Sequence, residues 1–263
     1  MTSRLIEAVG NPFSRYIEST GRLTWFLFAG IRQIPVFPFQ FGKTMDQIWF
    51  IGTKSLFVIL LTGLFTGMVL GLQGYYTLVT FGSEAALGGA VALSLIRELG
   101  PVLTAIMITA RAGSAMAAEI GVMRMSEQID ALFTMQINPI RFLFTPRILA
   151  ALVCFPLLTS FFDVVGIIGG FFSGSLLMGI NETVYMDKVI QSVKFMDIWG
   201  GFIKSIVFSL IVVTICCYRG YFAHMNHQGQ SGAKGVSLAT TGAVVQSCIF
   251  ILICDYIITS FLV

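Results

Sequence analysis

Five ionisable residues stand inside otherwise apolar stretches: Arg97 and Glu98, Asp163, Lys204 and Asp255. A charge at the centre of a bilayer costs at least ~2.5–3.5 kcal/mol, so each should face a partner or a wet cavity. Neighbours on a helix point about 100° apart, so Arg97 and Glu98 need not pair only with each other. Two cations and three acids allow a buried network joining several helices, with Arg97, Glu98, Lys204 and Asp255 as its expected members. Such a network could fix helix register or take part in gating, and both readings stay open. Gly100-Pro101 follows directly, and proline removes a backbone hydrogen bond, so the helix should loosen or kink there.

Other reactive residues are poorly placed for catalysis. His224 and His227 lie three apart in a polar stretch with no acid beside them, which gives no metal or triad pattern. Cys154, Cys216, Cys217, Cys248 and Cys254 fall in apolar segments without a C-x-x-C pair and read as small apolar fillers. The nearest string to a phosphate-binding loop, Gly229 to Gly235, has the wrong spacing. The chain is therefore expected to bind no cofactor or metal of its own.

The elements that hold these residues must be membrane helices. Of 263 residues, 56% are hydrophobic and only 11% charged, with a mean hydropathy of +0.86. A soluble domain carries about 25% charge. The net charge of +3 comes without any basic run, which excludes a nucleic-acid surface. Five stretches reach the roughly 20 residues a span needs, starting near Ser55, Leu87, Ile148, Ile198 and Val236. They predict an all-α integral membrane fold, read as a single domain over 1–263. The segment 111–147 is its longest loop, and another polar stretch runs around Asn181–Asp197. No internal repeat is visible, which counts against inverted-repeat carriers.

Lys and Arg counts on alternate sides set the orientation. One side takes Arg4, Arg15, Arg22, Arg32, Lys43, Lys54, Arg111, Arg124, Arg141, Arg147, Arg219 and Lys234; the other takes Lys188 and Lys194. This places the N-terminus in the cytoplasm and the C-terminus outside. Residues 1–54 are too polar to span. Their patches Trp25–Ile31 and Ile34–Phe41, flanked by Arg22 and Arg32, predict an amphipathic element lying in the interface.

Glycines four apart in the first span (Gly63, Gly67, Gly71) and the third (Gly166, Gly170, Gly174) let another backbone approach closely. They predict either a tightly packed bundle or a homodimer seam. In the 111–147 loop, Ser126 can cap a short helix with Glu127 in its first turn, and Asn138-Pro139 should stop it. Ile129, Leu132, Phe133 and Gln136 fall at amphipathic spacing there.

The stretch SLIRELGPVLTAIMITARAGSAMAAEIGVMRMSEQIDAL (residues 94–132) closely resembles the signature region of the MlaE/YrbE family, the permeases of MCE-type ABC transporters. GMVLGLQGY (Gly67–Tyr75) and the order of spans agree. The resemblance implies a homodimeric permease in the bacterial inner membrane with five spans per subunit and a membrane-lying N-terminal helix. It implies a cytoplasmic coupling helix over Glu119–Asn138, with Glu119, Arg124, Glu127, Asp130, Leu132 and Phe133 as ATPase-facing residues. A separate ABC ATPase would dock there and bind the ATP and Mg2+. A periplasmic MCE-domain protein and, in some systems, a STAS-domain protein complete the set of expected partners. The cargo implied is phospholipid, and the family's lipid-pocket surfaces map onto Leu70, Gln73, Thr77, Leu78, Phe81, Arg97, Glu98 and Leu99. Two other classes stand beside this one: an ion-coupled carrier with Glu98, Asp163 and Asp255 as a proton relay, and a membrane enzyme acting on lipids.

Overall fold

The computed structural model describes residues 21–30, 32–33, 40–223 and 232–262. His224, His227, the Gly229 string up to Ser231 and most of the Ile34–Phe41 patch lie outside them. No strand occurs among the described residues. Residues 21–30 are helical (α1), followed by α2 (Phe41–Val79), α3 (Glu84–Met125), α4 (Gln128–Thr134), α5 (Pro139–Leu177), α6 (Glu182–Ser192), α7 (Phe195–Tyr221) and α8 (Ala233–Leu262). Of these, α2, α3, α5, α7 and α8 are long and apolar enough to cross a membrane.

The helices outrun the apolar stretches that announced them. α2 starts at Phe41 rather than Ser55, and α5 at Pro139 rather than Ile148. Hydropathy marks where lipid surrounds a helix, whereas the backbone ladder continues into the polar flank until a capping residue ends it. α3 has 42 residues, about 63 Å at 1.5 Å each, roughly twice the hydrocarbon core. The expected 111–147 loop is thereby reduced to residues 126–138. Arg111 sits in mid-helix, and Arg147 is buried within α5 at 3% exposure.

The caps in that short connection also differ from the expected ones. Ser126 ends α3, and its hydroxyl donates back to the carbonyl of Val122 at 2.9 Å. The chain then turns through Glu127, whose φ of 59° is left-handed, into α4. Asn138 does not stop a helix; it starts one. Its Oδ1 accepts from the Ile140 and Arg141 amides at 3.0 and 3.4 Å, with Pro139 at the first helical position. The polar stretch after α5 is not all loop: it contains α6. Asn181 caps it, and the fully buried Tyr185 anchors it, donating to the Ile167 carbonyl at 3.3 Å. Burial pushes the Tyr185 phenol well above its ordinary pKa.

The glycine faces of α2 and α5 meet within one chain. A Cβ on Gly67 would fall on the carbonyl of Gly166, and one on Gly63 would lie 3.0 Å from the carbonyl of Phe162. These glycines thus bring two helices of one subunit into backbone contact, and of the two expectations the packed bundle holds for this face. α7 packs against α3, α5 and α8 and is the most buried of the five spans, with Phe208, Val212 and Cys216 in the core. α1 folds onto the Met125 end of the bundle. Its Phe26, 2% exposed, meets the ring of Phe144 edge-on at 5.4 Å, while Trp25 and Phe28 remain outside.

Candidate functional site

The charge centre is built where α3 departs from regular geometry. Residues Leu95–Leu99 form a wider π turn, the kind of one-residue insertion that puts backbone carbonyls out of step with the α ladder. α7 approaches this turn closely because Gly201 has no side chain: a Cβ there would lie 2.8 Å from the Ile96 carbonyl. One turn further along α7, Lys204 enters the gap at 2% exposure. Its Nζ lies 2.8 Å from the Arg97 carbonyl, 2.7 Å from Glu98 Oε2, 2.7 Å from Thr259 Oγ1 and 2.9 Å from Asp255 Oδ1. One ammonium therefore ties α3, α7 and α8 together. The two acids and the Arg97 carbonyl supply the acceptors that a buried cation requires.

Arg97 differs from its expected place. Its backbone belongs to this centre, but its guanidinium turns to Asp197, Nε donating to Oδ1 at 2.8 Å and Nη2 lying 2.7 Å from the same oxygen. Asp197 Oδ2 accepts from the Lys194 amide at 2.9 Å, so one carboxylate both caps α7 and holds Arg97. Arg97 remains half exposed. Arg97, Glu98, Asp197, Lys204, Thr259 and Leu262 line a cavity of about 270 Å3. Asp163 stands apart on α5, with no hydrogen-bond partner for its buried Oδ1. The three acids of the expected relay are thus split, Glu98 and Asp255 around Lys204 and Asp163 elsewhere.

The other lipid-pocket candidates do not line this cavity. Gln73, Thr77 and Phe81 are exposed along the far part of α2 and the turn after it, Leu70 and Leu78 are half-buried beside them, and Leu99 packs half-buried against the core. Thr77 Oγ1 is already donating to the Gln73 carbonyl at 3.0 Å.

At the Met125 end, the six coupling candidates fall on two helices and the turn between them. Glu119 and Arg124 belong to the last turns of α3, not to a separate helix, because nothing interrupts the helical ladder before Ser126. Glu119 reaches Arg147 of α5 at 2.9 Å, and Arg124 reaches Asp130 of α4 at 2.7 Å. Glu127 and Phe133 are exposed and Leu132 is half-buried. With Phe133, Gln136 and Ile137, the α1 residues Trp25 and Phe26 line a groove of about 560 Å3.

Sequence reading missed Asp197, Thr259 and the partner of Arg111. Asp197 had a legible signal, an acid three residues after a helix start. Thr259 had none, being one hydroxyl in an apolar helix. Arg111 donates to the Phe50 carbonyl inside a second π turn, Trp49–Thr53, and stacks 4.7 Å from the Phe50 ring. A cation on a π-turn carbonyl is the same device that Lys204 uses.

Fold and site together define a multi-pass α-helical membrane protein with a paired-charge centre inside its bundle. The family model described as Permease MlaE matches residues 44–261. The chain is 39% identical over 262 residues to a probable ABC transporter permease protein of Rickettsia typhi, covering 100% of this chain and 99% of that one. It is 38% identical over 261 residues to the intermembrane phospholipid transport system permease protein MlaE of Haemophilus influenzae, covering 99% and 98%. The chloroplastic protein TRIGALACTOSYLDIACYLGLYCEROL 1 of Arabidopsis thaliana is 38% identical over 219 residues, covering 83% of this chain and 61% of the relative. The chain belongs to the MlaE permease family.

Proposed function

We propose that this chain is the membrane permease of an ABC transporter that moves glycerophospholipid between the inner and outer membranes of a bacterium. The observation that carries the reading is the cavity beside Arg97 and Lys204, where a half-exposed guanidinium stands at the mouth of a buried charge centre. A phosphodiester can exchange with Asp197 for the fork of Arg97, since guanidinium binds phosphate and carboxylate alike. Acyl chains then lie on the apolar stripe that includes Leu70 and Leu78 of α2 and Phe81 of the turn after it, supplied by one subunit or by its partner in a homodimer.

ATP and Mg2+ belong to a separate ATPase docked on Glu127, α4 and the end of α3, and this chain performs no catalysis itself. A periplasmic MCE-domain protein receives or delivers lipid at the Val79 end, and a STAS-domain protein is a further candidate partner. The Met125 end faces the cytoplasm in this reading. The ion-coupled alternative is not favoured: the Rickettsia relative is named a probable ABC transporter permease and the Haemophilus one an intermembrane phospholipid transport permease, and Asp163 stands apart from the Lys204 centre.

The test is a detergent pull-down of the chain with its native partners, followed by mass spectrometry of protein and lipid. An ATPase, an MCE-domain protein and stoichiometric phospholipid are expected. Replacing Glu127 and Asp130 with Lys should lose the ATPase while keeping the lipid. Recovery of the chain alone, with only exchangeable lipid, would overturn the reading.

A further inference from the structure

On the other side of α7 from the lipid cavity, a second cavity of about 150 Å3 lies between α5, α7 and the π turn of α3. Its polar groups are all oxygens: Asp163, Thr159 and Ser160 from α5, and Ser205 from α7. Thr159 and Asp163 are four apart and so share one helix face. Asp163 Oδ1 and Thr159 Oγ1 are both buried without a partner. Ser160 and Ser205 spend their protons on their own helices, donating to the Pro156 and Phe202 carbonyls at 2.9 and 2.8 Å, which leaves their lone pairs free.

Among the described residues, none beside this cavity compensates the Asp163 charge. Asp163 is the only charged residue of α5 after Arg147. From α3, Arg97 is turned to Asp197 and Glu98 to Lys204; from α7, Lys204 points to Glu98 and Asp255. An ionised carboxylate without a counter-charge is among the costliest groups to bury.

We propose that this cavity binds a small monovalent cation of the sodium class, with Asp163 as its charged ligand and Thr159, Ser160 and Ser205 as neutral ones. An oxygen-only set selects a hard cation over zinc or copper, which take nitrogen and sulfur. A single carboxylate neutralises one charge, short of the several acidic and carbonyl ligands that calcium takes. The ion gives both orphaned oxygens a partner at once. It also acts on the lipid site: a Cβ on Gly100 would fall on Asp163 Oδ1, so this carboxylate rests against α3 directly after the π turn that carries Arg97 and Glu98. The cation is a bound ligand that sets the position of that turn, and the work of transport stays with the ATPase.

The experiment uses the purified full chain in nanodiscs with NaCl or choline chloride at equal ionic strength. The melting temperature should rise with NaCl to a plateau that choline does not reproduce. Dicyclohexylcarbodiimide, which modifies carboxyl groups in apolar surroundings, should label the peptide containing Asp163 in choline and do so more slowly in NaCl. Asp163→Asn should abolish the sodium effect, and Thr159→Val should raise the half-saturating NaCl concentration roughly tenfold or more. Equal melting temperatures in the two salts, or labelling that NaCl does not slow, would show a neutral acid in an ordinary crevice and overturn the proposal. Should Asp163→Asn fail to fold, Thr159→Val and the protection measured on the unmodified chain decide the question.

Discussion

Removing the Lys204 ammonium would leave the Glu98 and Asp255 carboxylates facing each other with no cation between them. Breaking a buried ion pair by deleting one partner costs about 3–5 kcal/mol, and Glu98 keeps some solvent, which places this case toward the lower end. Lys204→Met should therefore lower the melting temperature in detergent sharply. Adding Glu98→Gln and Asp255→Asn to it should recover much of that loss without recovering lipid transport. Unchanged stability in Lys204→Met would mean the three charges do not depend on one another. Asp197 poses a different case, because its partner Arg97 is half exposed. Exposed pairs contribute about 0–1 kcal/mol and a helix cap about 1. Asp197→Asn should thus cost little stability while releasing Arg97, and it should raise the phospholipid retained per chain in quantitative lipid extraction. A fall in retained lipid would mean Asp197 positions Arg97 rather than competing with the phosphate.

Among the elements, the contact of α2 with α5 is the least tolerant of change. Gly67→Ala places a methyl on a backbone carbonyl that cannot move alone, so the helices must separate along their seam. Gly42→Ala on the same helix meets nothing within 4 Å. Fluorescence-detected size-exclusion should show loss of the monodisperse peak for the first and none for the second; equal profiles would mean the seam has slack. This seam was legible as glycines at fourfold spacing, though spacing alone could not say whether the second helix came from the same subunit. The five spans were legible from hydropathy, while their ends were not, since caps such as Asn138 act beyond the apolar run. The unpaired charges were legible because lipid makes them costly. Which charges pair was not, because Arg97 and Glu98 leave the helix about 100° apart and a π turn alters that angle. The long α3 was hidden by Arg111, whose polarity suggested a loop although Phe50 of α2 supplies its acceptor.

For the molecule as a whole, the proposed orientation makes its two ends distinguishable by reagent access. A cysteine replacing Glu127, in a background where the native cysteines are silent, should react with an impermeant maleimide only after the cytoplasmic side is opened. One replacing Thr183, the exposed second residue of α6, should react from the periplasm. The opposite pattern would invert the assignment of the ATPase and MCE faces. α3 carries a pocket residue, Glu98, and a docking-end residue, Glu119, on one unbroken helix. The two lie 21 positions apart, about 32 Å along the axis. That makes the helix a lever: a tilt of ~5° imposed at its foot carries the head through about 3 Å, on the scale of one hydrogen bond. If an ATPase docks at this end as proposed, a nudge from outside the bilayer changes which anion Arg97 grips, with no signal passed from side chain to side chain.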